Sequence, residues 1–484
     1  MTASFTTGSK TSRGHWLVPL AAIVAGITSA GSAGAQGCLS GTLGDEWMAE
    51  RVGLVREWII QVPFDSAGYR LEHVVVADGL VVAQSGDGGV HVIQAAHADA
   101  TGAATARGEK GQDGKDPDKK DRDGKAPDAS SGGTKAADKA GDATVAIDHP
   151  FTVGKPQPGT LLWSTRIGTR GGPVEPAGVG ASLVTVARDI DLFALDRQTG
   201  HTRWHDRLGR LPATAATPIG DWVYAPLHSD GVLRLPADPH RETTAGAAAK
   251  AATKAAAKKP AKKKGRKQPE EKKPIESLEP LAIDAGGRLE QPVIPFPDGP
   301  MKGSLLWCTT DGTLVILEPT EADWQRHEFF LESAPVGRPV IRDTAIFVAT
   351  ANRDLARIEM RKPDNAMRTK WHVILYERPD AAPILAGKAV VVSQGEAGIS
   401  AYSAEDGSVL WHSHFPGRIL AASTGRIWVL DRTGRLSSLD ATDGTLRERV
   451  CLGGFSFPVL NTSTDRLVLA TPGGLIVSLA PRQD

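Results

Sequence analysis

The stretch Gly398 to Trp411, Gly-Ile-Ser-Ala-Tyr-Ser-Ala-Glu-Asp-Gly-Ser-Val-Leu-Trp, constrains the fold more than any other part of the sequence, because it recurs. Gly200 stands five residues after Leu195 and four before Trp204, and Gly407 keeps the same spacings to Tyr402 and Trp411. A third copy, Leu436 to Glu448, retains Leu439 and Gly444 but carries Glu448 where the tryptophan is due. Each copy reads as a hairpin: an alternating apolar strand enters a Thr-Gly or Asp-Gly turn, glycine accepts positive φ there, and a second strand brings a large aromatic back. Hairpins repeating near every 40 residues predict stacked four-stranded blades, so the fold class is all-β, a β-propeller.

Gly53 to Phe64 reads as an outer strand without the strands that should precede it, and Leu460 to Leu479 supplies strands that lack an outer one. Pairing the two closes the ring and covers both edges. The propeller domain is placed at 53–481. Removing residues 98–158 and 236–279 from that span leaves 324 residues, or about 40.5 for each of eight blades and about 46 for each of seven. Eight is the expected number, with seven the alternative.

The first insertion, 98–158, is rich in Gly, Ala, Asp and Lys and too poor in apolar residues to repay its ordering entropy, so a disordered loop is expected. Its Asp121-Arg-Asp123-Gly124 lacks the third ligand and distal Glu of a calcium loop. The second, 240–274, carries 12 Lys and Arg against 3 Glu in a chain whose formal net charge is zero. The remainder is therefore acidic. Lys258, Lys259, Lys262, Lys263, Lys264, Arg266 and Lys267 are candidate contacts to a polyanion, although no aromatic residue is interleaved for base stacking. A solvated low-complexity loop is the competing reading.

Residues 1–37 read as an export signal: Lys10 and Arg13 before a short apolar core, then Ala33-Gly-Ala35 as a cleavage signature. The core is too short for a membrane span, so no transmembrane helix is expected in the mature chain. Release as a soluble periplasmic protein and lipidation at Cys38 are the two outcomes considered. Cys38, Cys308 and Cys451 are the only cysteines, and no Cys-x-x-Cys supports zinc, dithiol or haem chemistry. Cys308 and Cys451 are read as two buried free thiols rather than a disulfide. His412-x-His414 could point two imidazoles to one face of a strand, but blade surface is the favoured reading without a third ligand. Glu405-Asp406 reads as a solvated turn, and Asn461-Thr-Ser matches a glycosylation sequon.

The repeat at Phe193 to Trp204, Ser400 to Trp411 and Leu436 to Glu448 resembles that of the quinoprotein-like, or PQQ-like, β-propellers. The resemblance implies that Trp163, Trp204 and Trp411 dock between adjacent blades and that Gly200, Gly407 and Gly444 are turn residues. In the family's dehydrogenases a vicinal cysteine pair accompanies pyrroloquinoline quinone and calcium. This sequence has no adjacent cysteines and no matching calcium cluster, so no cofactor, catalytic or metal residue carries over. It is closer to the family's non-enzymatic exported members, such as the propeller lipoprotein of the outer-membrane assembly machine. The implied function is a cell-envelope scaffold that binds proteins. The alternatives are a PQQ-dependent or degenerate oxidoreductase, and polyanion binding through the Lys-rich loop.

Overall fold

In the computed structural model the described residues are 46–95, 156–168, 172–229, 231–239, 280–297, 299–320, 324–361, 366–423, 425–462 and 464–482. The signal segment, Cys38, the seven basic residues named above and nearly all of the 98–158 insertion lie outside them. The strands form eight antiparallel sheets, seven of four strands and one of three, in sequential order. Blade one runs from Leu71–Ala77 to Leu161–Arg166, blade two from Gly178–Val179 to Thr202–Arg207, and blade three from Thr217–Ile219 to Leu281–Asp284. Blades four to seven end on the outer strands Trp324–Phe330, Ala366–Ile374, Val409–Ser413 and Leu446–Cys451.

Blade eight is built from both ends of the domain. Leu54–Gln61 pairs antiparallel with Leu475–Pro481, which pairs in turn with Leu467–Ala470. Its innermost strand shrinks to one bridge, Phe457 to Ala470. The closure is sealed at the chain crossing, where Arg482 N–H donates to Gly53 O at 2.9 Å. A short helix, Glu46–Arg51, precedes it and buries Ala49 against blades seven and eight. Nothing in the apolar spacing announced that helix.

Eight apolar clusters fill the eight interfaces between successive blades, the last joining Trp58 and Ile476 of blade eight to Val81 and Ile93 of blade one. The ring is therefore closed by core as well as by strand pairing. Inner strands are buried without a break, as in Leu80–Ser85, because both faces meet a neighbouring blade. Outer strands such as Thr202–Arg207 are largely exposed.

The docking tryptophans share one device. In blades one, two, five, six and eight the register slips beside the residue that pairs with Trp163, Trp204, Trp371, Trp411 or Trp58, and in blade seven it slips beside Glu448. Such a bulge re-aims one side chain out of the ladder. Each indole then reaches the next blade: Trp163 Nε1 donates to Arg197 O at 2.8 Å, Trp371 to Ala404 O at 3.2 Å and Trp411 to Ala441 O at 3.0 Å. Three residues after each of these acceptors sits a turn glycine, Gly200, Gly407 or Gly444, at φ between +72° and +76°. A Cβ on Gly444 would lie 2.4 Å from Trp411 Cε3, so glycine is required there for approach as well as for conformation.

At blade seven the missing tryptophan is replaced in kind. Arg426 lies where a Cβ on Gly53 would meet its guanidinium, donates to Val52 O at 2.9 Å and pairs with Glu448 at 3.3 Å. A planar cation thus repeats the indole's two contacts, a flat surface on glycine and an N–H on a carbonyl, at the point where the chain closes on itself.

Candidate functional site

Sequential antiparallel strands divide the ring edges into two faces. On one, the turn face, lie the connections between third and fourth strands. Both insertions belong to this face: Ala95 and Gln157 flank the first, Pro239 and Pro280 the second. Trp58 holds both flanks of the first, donating to Ala95 O at 3.1 Å and lying beneath Gly159. Trp204 Nε1 likewise donates to Ala237 O, at 2.9 Å, before the second. The opposite, connector face carries the turns between second and third strands and the links from one blade to the next.

Among the described residues the three most exposed large apolar side chains lie on the connector face, on neighbouring blades. Phe330 ends the outer strand of blade four and is 73% exposed; Ile374 ends that of blade five at 71%, with Tyr376 at 56% beyond it. The two outer strands approach within 8 Å between Cα atoms. On the same face, between blades six and seven, a recess of about 220 Å³ is lined by Asp380, Gly395, Pro416, Gly417, Arg418 and Asp431, among others. Asp431 is committed within the fold: its Oδ1 accepts from Thr433 and Arg435 N–H, and Arg449 holds the other oxygen. Burial opposes its ionisation, but these donors outweigh it and keep the carboxyl below the usual range.

Two buried polar networks escaped the sequence reading. In blade one, Ser85 Oγ donates to Asp87 Oδ1 at 2.6 Å, Arg166 holds the other Asp87 oxygen at 2.6 Å, and His91 Nδ1 meets Ser164 Oγ at 2.7 Å. Burial pushes the His91 imidazole down to about 4, with Asp87 opposing and Arg166 adding to the effect. His91 is 2% exposed and its Nε2 lies 3.4 Å from Ser85 Oγ, so the trio ties strands together and offers a substrate no access.

In blade six the backbone orients the first amide. Tyr376 N–H donates to Gln394 Oε1 at 2.7 Å, which turns Gln394 Nε2 toward Ser400 Oγ at 2.6 Å. Ser400 Oγ and His412 Nδ1 share a hydrogen bond at 2.8 Å, and His412 Nε2 and His414 Nδ1 another at 3.2 Å, their directions following the imidazole tautomers. Burial, and then His414, hold the His412 pKa down. The Tyr376 ring packs on His412 at 4.6 Å between centroids.

Other residues singled out in the sequence have clear positions. Cys308 is a free, buried thiol pushed up to about 12 by desolvation. Cys451 is disulfide-bonded, which corrects the expectation of two free thiols; it ends an outer strand and is only half-buried, where Cys308 sits inside a blade interface. Asp406 lies in the turn and accepts from Ser408 N–H at 3.1 Å. Asn461 is fully buried and its Nδ2 donates to Thr464 Oγ1 and Arg466 O, so its amide is committed within the fold. Among the described residues no three His, Cys, Asp or Glu side chains are grouped to hold a metal ion, and no helix is long and apolar enough to cross a membrane.

Residues 302–483 match the family model described as "Outer membrane protein assembly factor BamB". Among solved structures, that of BamB from Moraxella catarrhalis is similar at 16% identity, covering 88% of this chain and 99% of that one with a TM-score of 0.53. A computationally designed protein, Ika8, is similar at 10% identity over 87% of this chain and 99% of its own, with a TM-score of 0.49. No curated protein matches the chain. At such identities the structural likeness is one of fold.

Proposed function

With residues 302–483 matching the model of an outer-membrane assembly factor and the whole ring sharing that fold, we propose that the chain is a PQQ-like propeller acting as a non-catalytic, exported scaffold of the cell envelope that docks a protein on its connector face. The observation that carries this reading is the cluster of Phe330, Ile374 and Tyr376, more than half exposed at the ends of adjacent outer strands. Large apolar side chains gathered on one face of a soluble ring mark an interaction surface. The repeated residues themselves are committed elsewhere. Tryptophans, turn glycines and capping aspartates hold the blades, and the buried His91 network is satisfied internally.

The test compares proteins captured from native envelopes by the wild-type chain and by a Phe330→Ser/Ile374→Ser variant with unchanged thermal unfolding. A partner specific to the wild type is expected; identical captured sets would overturn the assignment of this face. Addition of PQQ and calcium is expected to give no stoichiometric spectral change. Such a change, with dye-linked oxidation of alcohols or sugars, would replace the scaffold by the oxidoreductase reading.

One observation favours a second, compatible role, polyanion contact by Lys258 to Lys267. The described flanks of the Lys-rich segment, Pro239 and Pro280, sit on the turn face, opposite Phe330 and Ile374. Retention on heparin should fall steeply with salt and vanish on deletion of 240–274. Unchanged retention after the deletion would reject this role.

A further inference from the structure

We propose that His412 and His414 form a two-imidazole chelate for a first-row divalent transition-metal ion on the connector face, with Cu(II) the tightest-bound probe. His412 lies on the outer strand of blade six and His414 one residue beyond its end, and alternate residues of an extended chain project to the same side. The two facing nitrogens, His412 Nε2 and His414 Nδ1, are 3.2 Å apart. Two imidazole nitrogens bound at about 2.0–2.1 Å to one ion, at angles from square-planar to tetrahedral, stand roughly 2.9–3.3 Å apart. The hydrogen-bond spacing already present falls within that range, so a turn of the His414 ring brings both lone pairs onto one ion without separating the nitrogens.

The support behind the first donor strengthens the assignment. Imidazole ligands are oriented by a hydrogen bond at the other ring nitrogen. His412 Nδ1 has one, with Ser400 Oγ, and Ser400 is fixed by Gln394, whose carbonyl is pinned by Tyr376 N–H. Ser400 and Gln394 are both fully buried, so His412 is presented by a rigid chain of groups. His414 is exposed, and its contact with His412 is the one the metal would replace.

The binding form is the Nδ1–H tautomer of His412, and no proton need leave the site. In it Nδ1–H donates to Ser400 Oγ, which also accepts from Gln394, while the Ser400 hydroxyl hydrogen turns to Tyr402. The His412 Nε2 lone pair then faces outward, the His414 ring turns to bring its Nδ1 lone pair to the same ion, and water completes the coordination. Imidazole nitrogen ligation and the stability order of divalent ions favour copper over zinc at such a site. The assignment does not depend on the scaffold reading, since it uses only side chains of blades five and six.

The experiment titrates Cu(II) into the untagged chain and follows binding by calorimetry and electron paramagnetic resonance. One high-affinity equivalent with superhyperfine coupling to two nitrogens is expected. His414→Ala, an exposed substitution that leaves the unfolding curve in place, should weaken that equivalent by at least about tenfold and leave coupling to one nitrogen. Ser400→Ala should retain two nitrogens but lower affinity by roughly 10–100-fold, the usual consequence of removing an orienting partner. Copper bound by His414→Ala with wild-type affinity and coupling would overturn the proposal.

Discussion

Blade seven contains a controlled experiment on the Trp–Gly contact. Gly444 and Gly434 both adopt positive φ, +72° and +75°, but only Gly444 touches an indole. A Cβ on Gly434 meets nothing within 4 Å, while one on Gly444 would lie 2.4 Å from Trp411 Cε3 and 2.7 Å from Cδ2. Gly434→Ala should therefore cost only the left-handed backbone term, about 1 kcal/mol. Gly444→Ala incurs that term and also displaces the indole. Losing the bond from Trp411 Nε1 to Ala441 O removes roughly 1 kcal/mol. Overpacking at a buried interface adds about 1–3 kcal/mol more. The two alanine variants should differ by about 2–4 kcal/mol in urea unfolding followed by far-ultraviolet circular dichroism. In a Trp411→Ala background the difference should collapse, giving a coupling energy of about the same size. Equal costs for Gly434→Ala and Gly444→Ala in the wild-type background would refute the claim that the glycine is there to admit the indole.

Two further predictions concern the closure and the blade-one network. Arg426→Ala should remove about 2 kcal/mol, the worth of a charged hydrogen bond to Val52 O together with the covering of Gly53, and thermal unfolding should begin at a lower temperature; an unchanged melting curve would show that the closure does not need the guanidinium. His91 has a folded pKa of about 4, below its ordinary value near 6.5, so the unfolded chain takes up the proton first as pH falls. Its contribution is whole above pH 6.5 and is lost between there and about 4, on the order of 3 kcal/mol in all. Urea midpoints of His91→Gln should accordingly slope less with pH across that window than those of the wild type, and parallel slopes would contradict the buried, neutral imidazole.

Much of the architecture was legible because it is written in local spacings. The five-and-four spacing around Gly200, Gly407 and Gly444 encodes a turn and a returning aromatic, and the order of such hairpins along the chain gives blades directly. The unfilled edges at Gly53 to Phe64 and Leu460 to Leu479 indicated the shared eighth blade, which Leu54–Gln61 and Leu475–Pro481 form. Glu448 looked like a lapse in the repeat. It is half of a substitution whose other half, Arg426, lies 22 residues away on another strand, so no reading of one hairpin could find it. The bulges beside the tryptophans also went unseen, although they set where each indole points.

By itself, then, the sequence determined the repeating unit and the means of closing the ring, and left the count between eight and seven, since turn geometry and strand alternation depend on neighbours a few residues apart. Only the tertiary structure decided which polar side chains meet. The Gln394–Ser400–His412–His414 chain, the exposed Phe330 and Ile374 on adjoining blades, and the confinement of both insertions to one face depend on how blades are placed around the ring. Those placements arise from burying each sheet against its two neighbours, a non-directional force that selects the arrangement without leaving a motif at any single position.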